Sequence, residues 1–427
     1  MRLALNFARI DPSKGGAETY VIDLCRSLVR AGHDVDVFAE SWQPGALPPE
    51  VRPIRVAATG RTRGSRIWSF ARNSEAAIRR SDYDCTVGFI NTYAHDVIIP
   101  QGGVHAGSLR ANAQRFRNPI LRGLYLLGKR LNPKYALYGA IERRQYAASR
   151  RARVVAVSHM VRRHLQEHRH VPSERIHVIP NAIDVGRVRL EQPGAVRCAF
   201  RSRLGLEPTD VVGLFVGHNF ALKGLRPLLK ALAERSAAGG KPIHLLVGGG
   251  GRVEAYGRHA RAQGLGDAVH FLGYHPDIRE CYAASDFFVL PSYYDPCSLV
   301  VLEALAFGLP VITTKQNGAG ELIADGREGY VLNAPDALGE LVAALDRMTE
   351  DAHRAAMARA AAELGAKQTF DRHVEALVRV FEEVAATRDG HDSHGPRGGS
   401  RPHGHRSKGR TDTSGCPERP VEPGRMT

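Results

Sequence analysis

One run, D-F-F-V-L-P-S-Y-Y-D-P-C-S-L-V-V-L-E-A-L-A-F-G-L-P-V-I-T-T at residues 286–314, constrains the fold of this chain more than any other. It reads as strand, loop, helix, turn, strand. Residues 287–290 are a short apolar run ended by Pro291, the pattern of a parallel strand buried on both faces. Residues 291–296 form a loop with two tyrosines and one carboxylate. Ser298 is placed to cap a helix, which Gly308 ends as a C′ glycine with Pro310 just beyond. Residues 311–314 are the next strand. The helix is apolar almost all round, which predicts a buried element. Its one charge is Glu303. A carboxylate in such surroundings is costly unless something pairs with it, and a ligand hydroxyl would serve.

The chain before this run alternates strand and helix twice over. Residues 3–8 are a strand, 9–16 a loop containing S-K-G-G, and a helix follows with Glu18 in its first turn, where a carboxylate suits the dipole. Val21, Leu24, Cys25, Leu28 and Val29 give that helix a buried stripe, Gly32 stops it, and 34–38 are a second strand. In this β-α-β unit Gly15 and Gly16 either bring backbone close to a ligand or make a plain tight turn. Strands at 85–90 and 96–100 follow. The second leads into Q-G-G-V-H-A-G-S, which puts His105 after a strand, where open α/β sheets often carry active-site groups; a structural histidine is the alternative. Residues 110–151 are helical and basic, 153–157 a strand, and 175–179 a short strand before P-N-A-I-D at 180–184, which reads as a domain exit.

The pattern then restarts. Residues 211–216 are a strand, Gly217-His218-Asn219 opens a loop, and Lys223-Gly224 stands before a helix at 225–237. A strand at 244–247 ends in four glycines, 248–251. A helix at 252–263 and a strand at 269–272 lead toward the opening run. Such alternation predicts an α/β fold with parallel sheets covered on both faces: two Rossmann-like domains, 1–185 and 186–369, facing a cleft. Residues 370–387 are expected as a helix packing back on the first domain. The Gly-, His-, Arg-, Ser- and Pro-rich residues 388–427 are expected to be disordered.

The 427 residues suffice for two or three domains, and no apolar run reaches the roughly 18 residues of a membrane span. Six scattered cysteines without C-x-x-C suggest neither a disulfide framework nor a zinc site. With no room for a signal peptide before structure begins, a cytoplasmic protein is expected. The net charge of +15 is uneven: residues 110–169 hold 15 Lys and Arg against Glu142 and Glu167. This basic field either serves solubility or attracts an anionic partner such as membrane headgroups, a phosphorylated glycolipid or nucleic acid. Its aromatics (Phe116, Tyr125, Tyr135, Tyr138, Tyr146) suit an interface and form no nucleic-acid motif.

Five stretches together resemble the retaining family 4 glycosyltransferases of the GT-B type. They are G-G-A-E at 15–18, A-G-H-D-V-D-V at 31–37, V-I-P-N-A-I-D at 178–184, V-G-H-N-F-A-L-K-G-L at 216–225, and P-S-Y-Y-D-P-C-S-L-V-V-L-E-A-L-A-F-G-L-P-V-I at 291–312. Within the family the chain most resembles enzymes like the lipopolysaccharide core glucosyltransferase. The resemblance implies a hexosyltransferase that moves a sugar, glucose from UDP-glucose or similar, to a glycolipid or cell-envelope polysaccharide acceptor. A mannosyl- or heptosyltransferase, or a non-catalytic sugar-nucleotide or nucleic-acid binder, is the alternative.

It also implies roles. Lys223 would reach the donor diphosphate, where fixed donors stabilise the charge that grows on the leaving oxygens. The family's usual arginine partner is replaced by His218, followed by Asn219 on the donor side. Backbone N–H groups of Cys297, Ser298 and Leu299 at the helix start would add to the phosphate site, with Gly15 and Gly16 approaching from the first domain. Glu303 matches the ribose-holding second Glu of E-x7-E, and Asp295 stands for the first, which meets the donor sugar. Phe271 lies on the strand beside the nucleobase. His105 matches the histidine near the anomeric carbon. No metal or other cofactor is implied. The basic first domain would carry the acceptor against an anionic membrane surface, making the enzyme peripheral on the inner face, and no nucleic acid is expected.

Overall fold

A computed structural model of the chain describes residues 1–13, 15–93, 95–147 and 151–392, with side chains described through Thr387. The chain divides into two units, Met1–Thr387 and Arg388–Thr427, and the first carries everything discussed below. Its first half runs β1 (Arg2–Asn6), β2 (Arg9–Ile10), α1 (Gly16–Arg30), β3 (Asp34–Ala39), β4 (Ser41–Trp42), β5 (Arg52–Arg55), α2 (Arg63–Ile78), β6 (Cys85–Gly88), β7 (Val97–Ile98), α3 (His105–Ala113), α4 (Pro119–Leu131), α5 (Pro133–Gln145), β8 (Arg153–Ala156), α6 (His159–Arg169) and β9 (Ile176–Val178). After α7 (Val185–Val188) and α8 (Pro193–Arg203) come β10 (Val211–Val216), α9 (Leu225–Ala237), β11 (Ile243–Gly248), α10 (Val253–Ala262), β12 (Val269–Gly273), α11 (Ile278–Ala284), β13 (Phe287–Val289), α12 (Leu299–Ala306), β14 (Val311–Thr314), β15 (Gly329–Leu332), α13 (Leu338–Arg347), α14 (Asp351–Lys367) and α15 (Phe370–Asp392).

Two large all-parallel sheets result, as the alternation predicts, beside a small parallel pair of β2 and β4. The first has the order β5-β3-β1-β6-β7-β8-β9 and the second β12-β11-β10-β13-β14-β15. Strands that sit mid-sheet are the apolar ones: Leu3 and Leu5 of β1 and Phe287 and Phe288 of β13 are wholly buried. β5, with Pro53 and two arginines, takes an edge, where a missing N–H and charge are tolerated. Each sheet reverses its order of addition beside its first strand, between β1 and β6 and between β10 and β13. Ligands bind outside the carboxyl ends of strands at such switch points.

Several boundaries differ from the reading of the sequence. The basic segment 110–151 is three helices, broken where Asn118 and Asn132 each precede a proline. Asn118 Oδ1 accepts the Ile120 N–H at 2.8 Å and Asn132 Oδ1 accepts that of Lys134 at 3.0 Å, so each Asn-Pro starts a helix of its own. β5, α2, α8 and β15 are additional elements. α15 continues through residue 392, so 388–392 are helical rather than disordered; residues 393–427 lie outside the described residues. At its start α15 packs on the first half: the Tyr20 ring of α1 lies 5.8 Å from Phe370 and 5.5 Å from His373. His373 bridges the Tyr20 hydroxyl at 2.7 Å and the Pro180 carbonyl at 2.8 Å, and burial lowers its pKa to about 4.

Candidate active site

The opening run folds as β13, loop, α12, turn and β14. Gly308 ends α12 at φ +71°, with Gly308 N–H on Leu305 O and Leu309 N–H on Ala304 O, both at 2.9 Å. This is the paired arrangement that closes a helix on a left-handed glycine. Behind the helix, Gly365 of α14 leaves no room for a side chain, since a Cβ there would lie 2.5 Å from Leu305 backbone.

The loop after β13 is joined to the loop after β10. Gly224 has φ +81°, and a Cβ on it would fall 1.9 Å from Pro291 O. One step along, the Tyr293 N–H donates to Leu222 O at 2.8 Å. The register carries the Lys223 ammonium onto the Asp295 carboxylate, and the two form an ion pair. Asp295 is in turn fixed by its N–H on Gln316 O and by Gly318 N–H on its own carbonyl, both at 2.9 Å. The two residues that resemblance assigns to diphosphate and donor sugar therefore touch each other. Asn219 is part of the same turn: its Oδ1 accepts the Leu222 N–H at 3.2 Å.

At the start of α12 one expectation is corrected. Ser298 holds the N-cap position, yet its side chain caps nothing. Its N–H is not free for a phosphate either: it donates at 3.3 Å to Asn317 Oδ1, which also accepts from Ala319 N–H at 3.2 Å. Asn317 is wholly buried and bridges Asp295 in sheet fashion, so it meets the orphan N–H of the helix end first. Cys297 turns its carbonyl to Asn181 Nδ2 at 3.0 Å, and burial pushes its thiol up to about 12. Asn181, from the 180–184 turn, also exchanges amide bonds with Gln101 at 2.9 and 3.0 Å.

The first half meets this loop at two points. Gly16 opens α1, whose N-cap Gly15 offers no side-chain cap, and a Cβ on Gly16 would lie 3.2 Å from Leu299 Cδ1. Two helix starts from opposite halves thus face each other, a place suited to an anion. Glu18 behind them is raised by burial, its own backbone N–H and His218 acting the other way. The second point is Tyr294, whose hydroxyl accepts the Val104 N–H at 3.1 Å. Gly103 makes this possible at φ +70°, since a Cβ there would fall 2.0 Å from the phenol oxygen.

His105 follows directly as the first residue of α3. Its N–H donates to Glu142 Oε1 at 2.7 Å, and Arg169 Nε holds the other oxygen of that carboxylate at 2.9 Å. Its ring stacks on Tyr135 at 5.2 Å and meets Tyr138 edge-on at 5.5 Å. Burial, then Arg169, Lys134 and Lys129, hold its pKa below the usual range. The ring is therefore neutral at pH 7, and its Nε2 is buried without a partner. It is brought to the Tyr294 corner of the site rather than onto the Lys223–Asp295 pair.

Glu303 has a protein partner that the sequence did not disclose. The Tyr282 hydroxyl of α11 donates to it at 2.9 Å. Burial raises the Glu303 carboxyl, which Tyr282 and Arg187 partly oppose. Phe271 of β12 lies opposite Val247 in the sheet and is half-buried. Its ring lies 3.9 Å from where Gly257 of α10 would carry a Cβ, so it helps pack strand to helix. Among the described residues no three His, Cys, Asp or Glu side chains gather as a metal site, and no helix is long and apolar enough to cross a membrane.

Two parallel-sheet halves whose switch-point loops meet around facing helix starts make the GT-B fold. The family model described as Glycosyltransferase Family 4 matches residues 14–187, and that described as Glycosyl transferases group 1 matches residues 197–364. The chain belongs to this glycosyltransferase family and is a transferase. It is 26% identical over 321 residues to the lipopolysaccharide glucosyltransferase WaaG of Escherichia coli K12, covering 75% of this chain and 82% of that protein. It is 28% identical over 409 residues to a D-inositol 3-phosphate glycosyltransferase of Catenulispora acidiphila, covering 88% and 92%. Among solved structures, that of WaaG superposes with a TM-score of 0.73 at 24% identity over 89% of this chain and 99% of that one. Anabaena Alr3699/HepE in complex with UDP-glucose gives 0.62 at 19% identity over 91% and 100%.

Proposed function

We propose that the protein transfers a hexose from a nucleotide-diphosphate sugar, UDP-glucose or a close analogue, to a glycolipid or saccharide acceptor with retention at the anomeric carbon. The observation that carries this is the Lys223–Asp295 pair set beside the facing starts of α1 and α12. In this reading the diphosphate takes Asp295's place on Lys223 and lies against the backbone at Gly15, Gly16, Cys297 and Leu299. Asp295, released, accepts hydroxyls of the donor sugar. Glu303 holds the ribose, sharing it with Tyr282. The base lies along the carboxyl end of β12 beyond Phe271.

Charge grows on the departing phosphate oxygen as the glycosidic bond breaks, and Lys223 with the helix starts stabilises it in place. A lysine and helix dipoles supply the positive charge, so no metal is required. The acceptor hydroxyl attacks from the face the diphosphate leaves, its proton passing to the leaving oxygen. His105, neutral and with a ring nitrogen in hand, steadies the oxocarbenium-like state by hydrogen bonding through the sugar hydroxyls rather than as a nucleophile.

The acceptor side supports an anionic membrane as partner. α4 buries no residue: Ile120, Leu124, Leu127 and Leu131 recur at helical spacing and are 50–73% exposed. Residues 119–134 contain Arg122, Lys129, Arg130 and Lys134 and no acid. An exposed apolar stripe flanked by cations lies flat in a headgroup layer. The test is turnover of UDP-glucose, GDP-mannose and UDP-GlcNAc with bacterial lipid extract as acceptor. Transfer from one donor is expected, and none from any would end the proposal.

A further inference from the structure

Beside the Lys223 loop, on the side of α9 and α10, lies a cavity of about 740 Å³. Both halves line it. His218, Arg226, Arg252 and Tyr256 come from the second half, and Arg115 and Phe116 from the segment before α4. No Asp or Glu is among its walls. None of the three arginines is paired with a carboxylate among the described residues. Arg115 Nε donates only to the Asn112 carbonyl at 3.0 Å, and its guanidinium lies over the Phe116 and Tyr125 rings. The Tyr256 phenol, which burial raises, feels all three of them. Three guanidiniums lining one cavity without a carboxylate repel one another, and an anion there would relieve it.

That anion is not the donor diphosphate. Lys223, Asp295, Glu303, Leu299 and Gly16 do not line the cavity; from the donor side only Asn219 and His218, which stands where the family carries an arginine, reach it. The cavity is instead continuous with α4, since the Phe116 ring lies 5.1 Å from that of Tyr125. It therefore sits between the exposed apolar helix and the Lys223 loop, where a membrane-borne acceptor would present its head.

We propose that this cavity seats the acceptor, and that the acceptor bears a phosphate monoester held by Arg115, Arg226 and Arg252. A phosphate carries close to two charges at pH 7 and offers three oxygens, which suits several guanidinium forks better than one carboxylate would. Phe116 and Tyr256 then supply flat faces for the saccharide. The proposal rests on the glycosyltransfer reading and names the acceptor's chemistry.

The experiment is calorimetric titration of the full chain with UDP, and of the UDP-saturated chain with glucose 6-phosphate, inorganic phosphate and glucose. Glucose 6-phosphate and phosphate should bind and glucose should not. Arg226 and Arg252 are exposed, so Arg226→Gln with Arg252→Gln should fold, with an unchanged melting curve. That double variant should weaken glucose 6-phosphate by about tenfold or more and leave UDP within about twofold, the spread of a near-neutral contact. Equal weakening of UDP would make the cavity part of the donor site and overturn the proposal, as would phosphate binding no better than glucose. Failure of the glycosyltransfer reading shows separately, as no UDP binding and no donor turnover by the parent. Competition by phosphatidylcholine vesicles carrying phosphatidic acid would place the phosphate on a lipid head; its absence would place it on a sugar. Either result keeps the phosphate site.

Discussion

Helices α4 and α12 are both rich in leucine and have opposite fates. α12 buries Val301, Leu302, Ala304 and Leu305 between strands and α14, and its one carboxylate is met by Tyr282. α4 buries nothing and surrounds its leucines with cations. The difference lies in their neighbours. α12 follows a central strand and ends on a glycine that returns the chain to the next strand, so the sheet covers it. α4 lies between two Asn-Pro breaks with no strand on either side, so no sheet covers it and its neighbours α3 and α5 leave its leucines exposed. Apolar content alone therefore says that a surface seeks cover, and topology decides whether protein supplies it.

The comparison can be broken from either end. On the α12 side, Lys223→Ala should have the largest effect, lowering kcat about a hundredfold or more with little change in donor KM, as expected for a group acting on leaving-group charge. Steady-state kinetics with the accepted donor check this, and an unaltered kcat would remove Lys223 from the chemistry. On the α4 side, Leu124→Glu with Leu127→Glu should weaken binding to anionic vesicles by about thirtyfold, from two half-exposed leucines at roughly 1 kcal/mol each. Its melting temperature should hold, because both side chains are at least half exposed. Flotation with the parent as control reads the first, and calorimetry the second. If the variant unfolds instead, α4 is a structural helix after all. Glu303→Ala should raise donor KM about tenfold, the worth of a hydrogen bond to a charged group, and leave vesicle binding untouched.

The smallest effect is a pH dependence. Burial raises the Glu303 carboxyl above its ordinary value in the folded protein, so the fold binds that proton more tightly than the unfolded chain does. Its stabilising contribution is present at acid pH and is lost as pH rises through the folded value. Glu303→Gln should therefore melt about one or two degrees above the parent at pH 8 and show a smaller gain at pH 5. A gain that grows toward acid pH would mean that the carboxylate is stabilised as an anion.

Much of this was legible in the sequence. The two parallel sheets follow from alternation and glycine punctuation. The resemblance assigned Lys223 and Asp295 to one donor site, but not to each other: the backbone zip at Gly224 that brings them into contact leaves no sign in the sequence. Glu303 was visible as an unmatched charge, but Tyr282 was not visible as its match, because a contact across 21 residues and a strand leaves no periodic trace. Ser298 looked like a cap because local chemistry favours one. Asn317, 19 residues on, takes the N–H, and only tertiary packing brings it there. The spacing of 120, 124, 127 and 131 is helical, yet periodicity cannot tell a stripe the core covers from one left exposed.

The Lys223–Asp295 contact has a kinetic corollary. If Lys223 holds the donor diphosphate as proposed, the donor does not find a vacant cation; it must evict a resident carboxylate. Its measured affinity is then a difference between two ionic contacts of similar kind, and screening weakens both together. Donor KM should thus vary little with ionic strength, while vesicle binding through the cations around α4 falls steeply. One enzyme would then carry a salt-sensitive address and a salt-tolerant reaction.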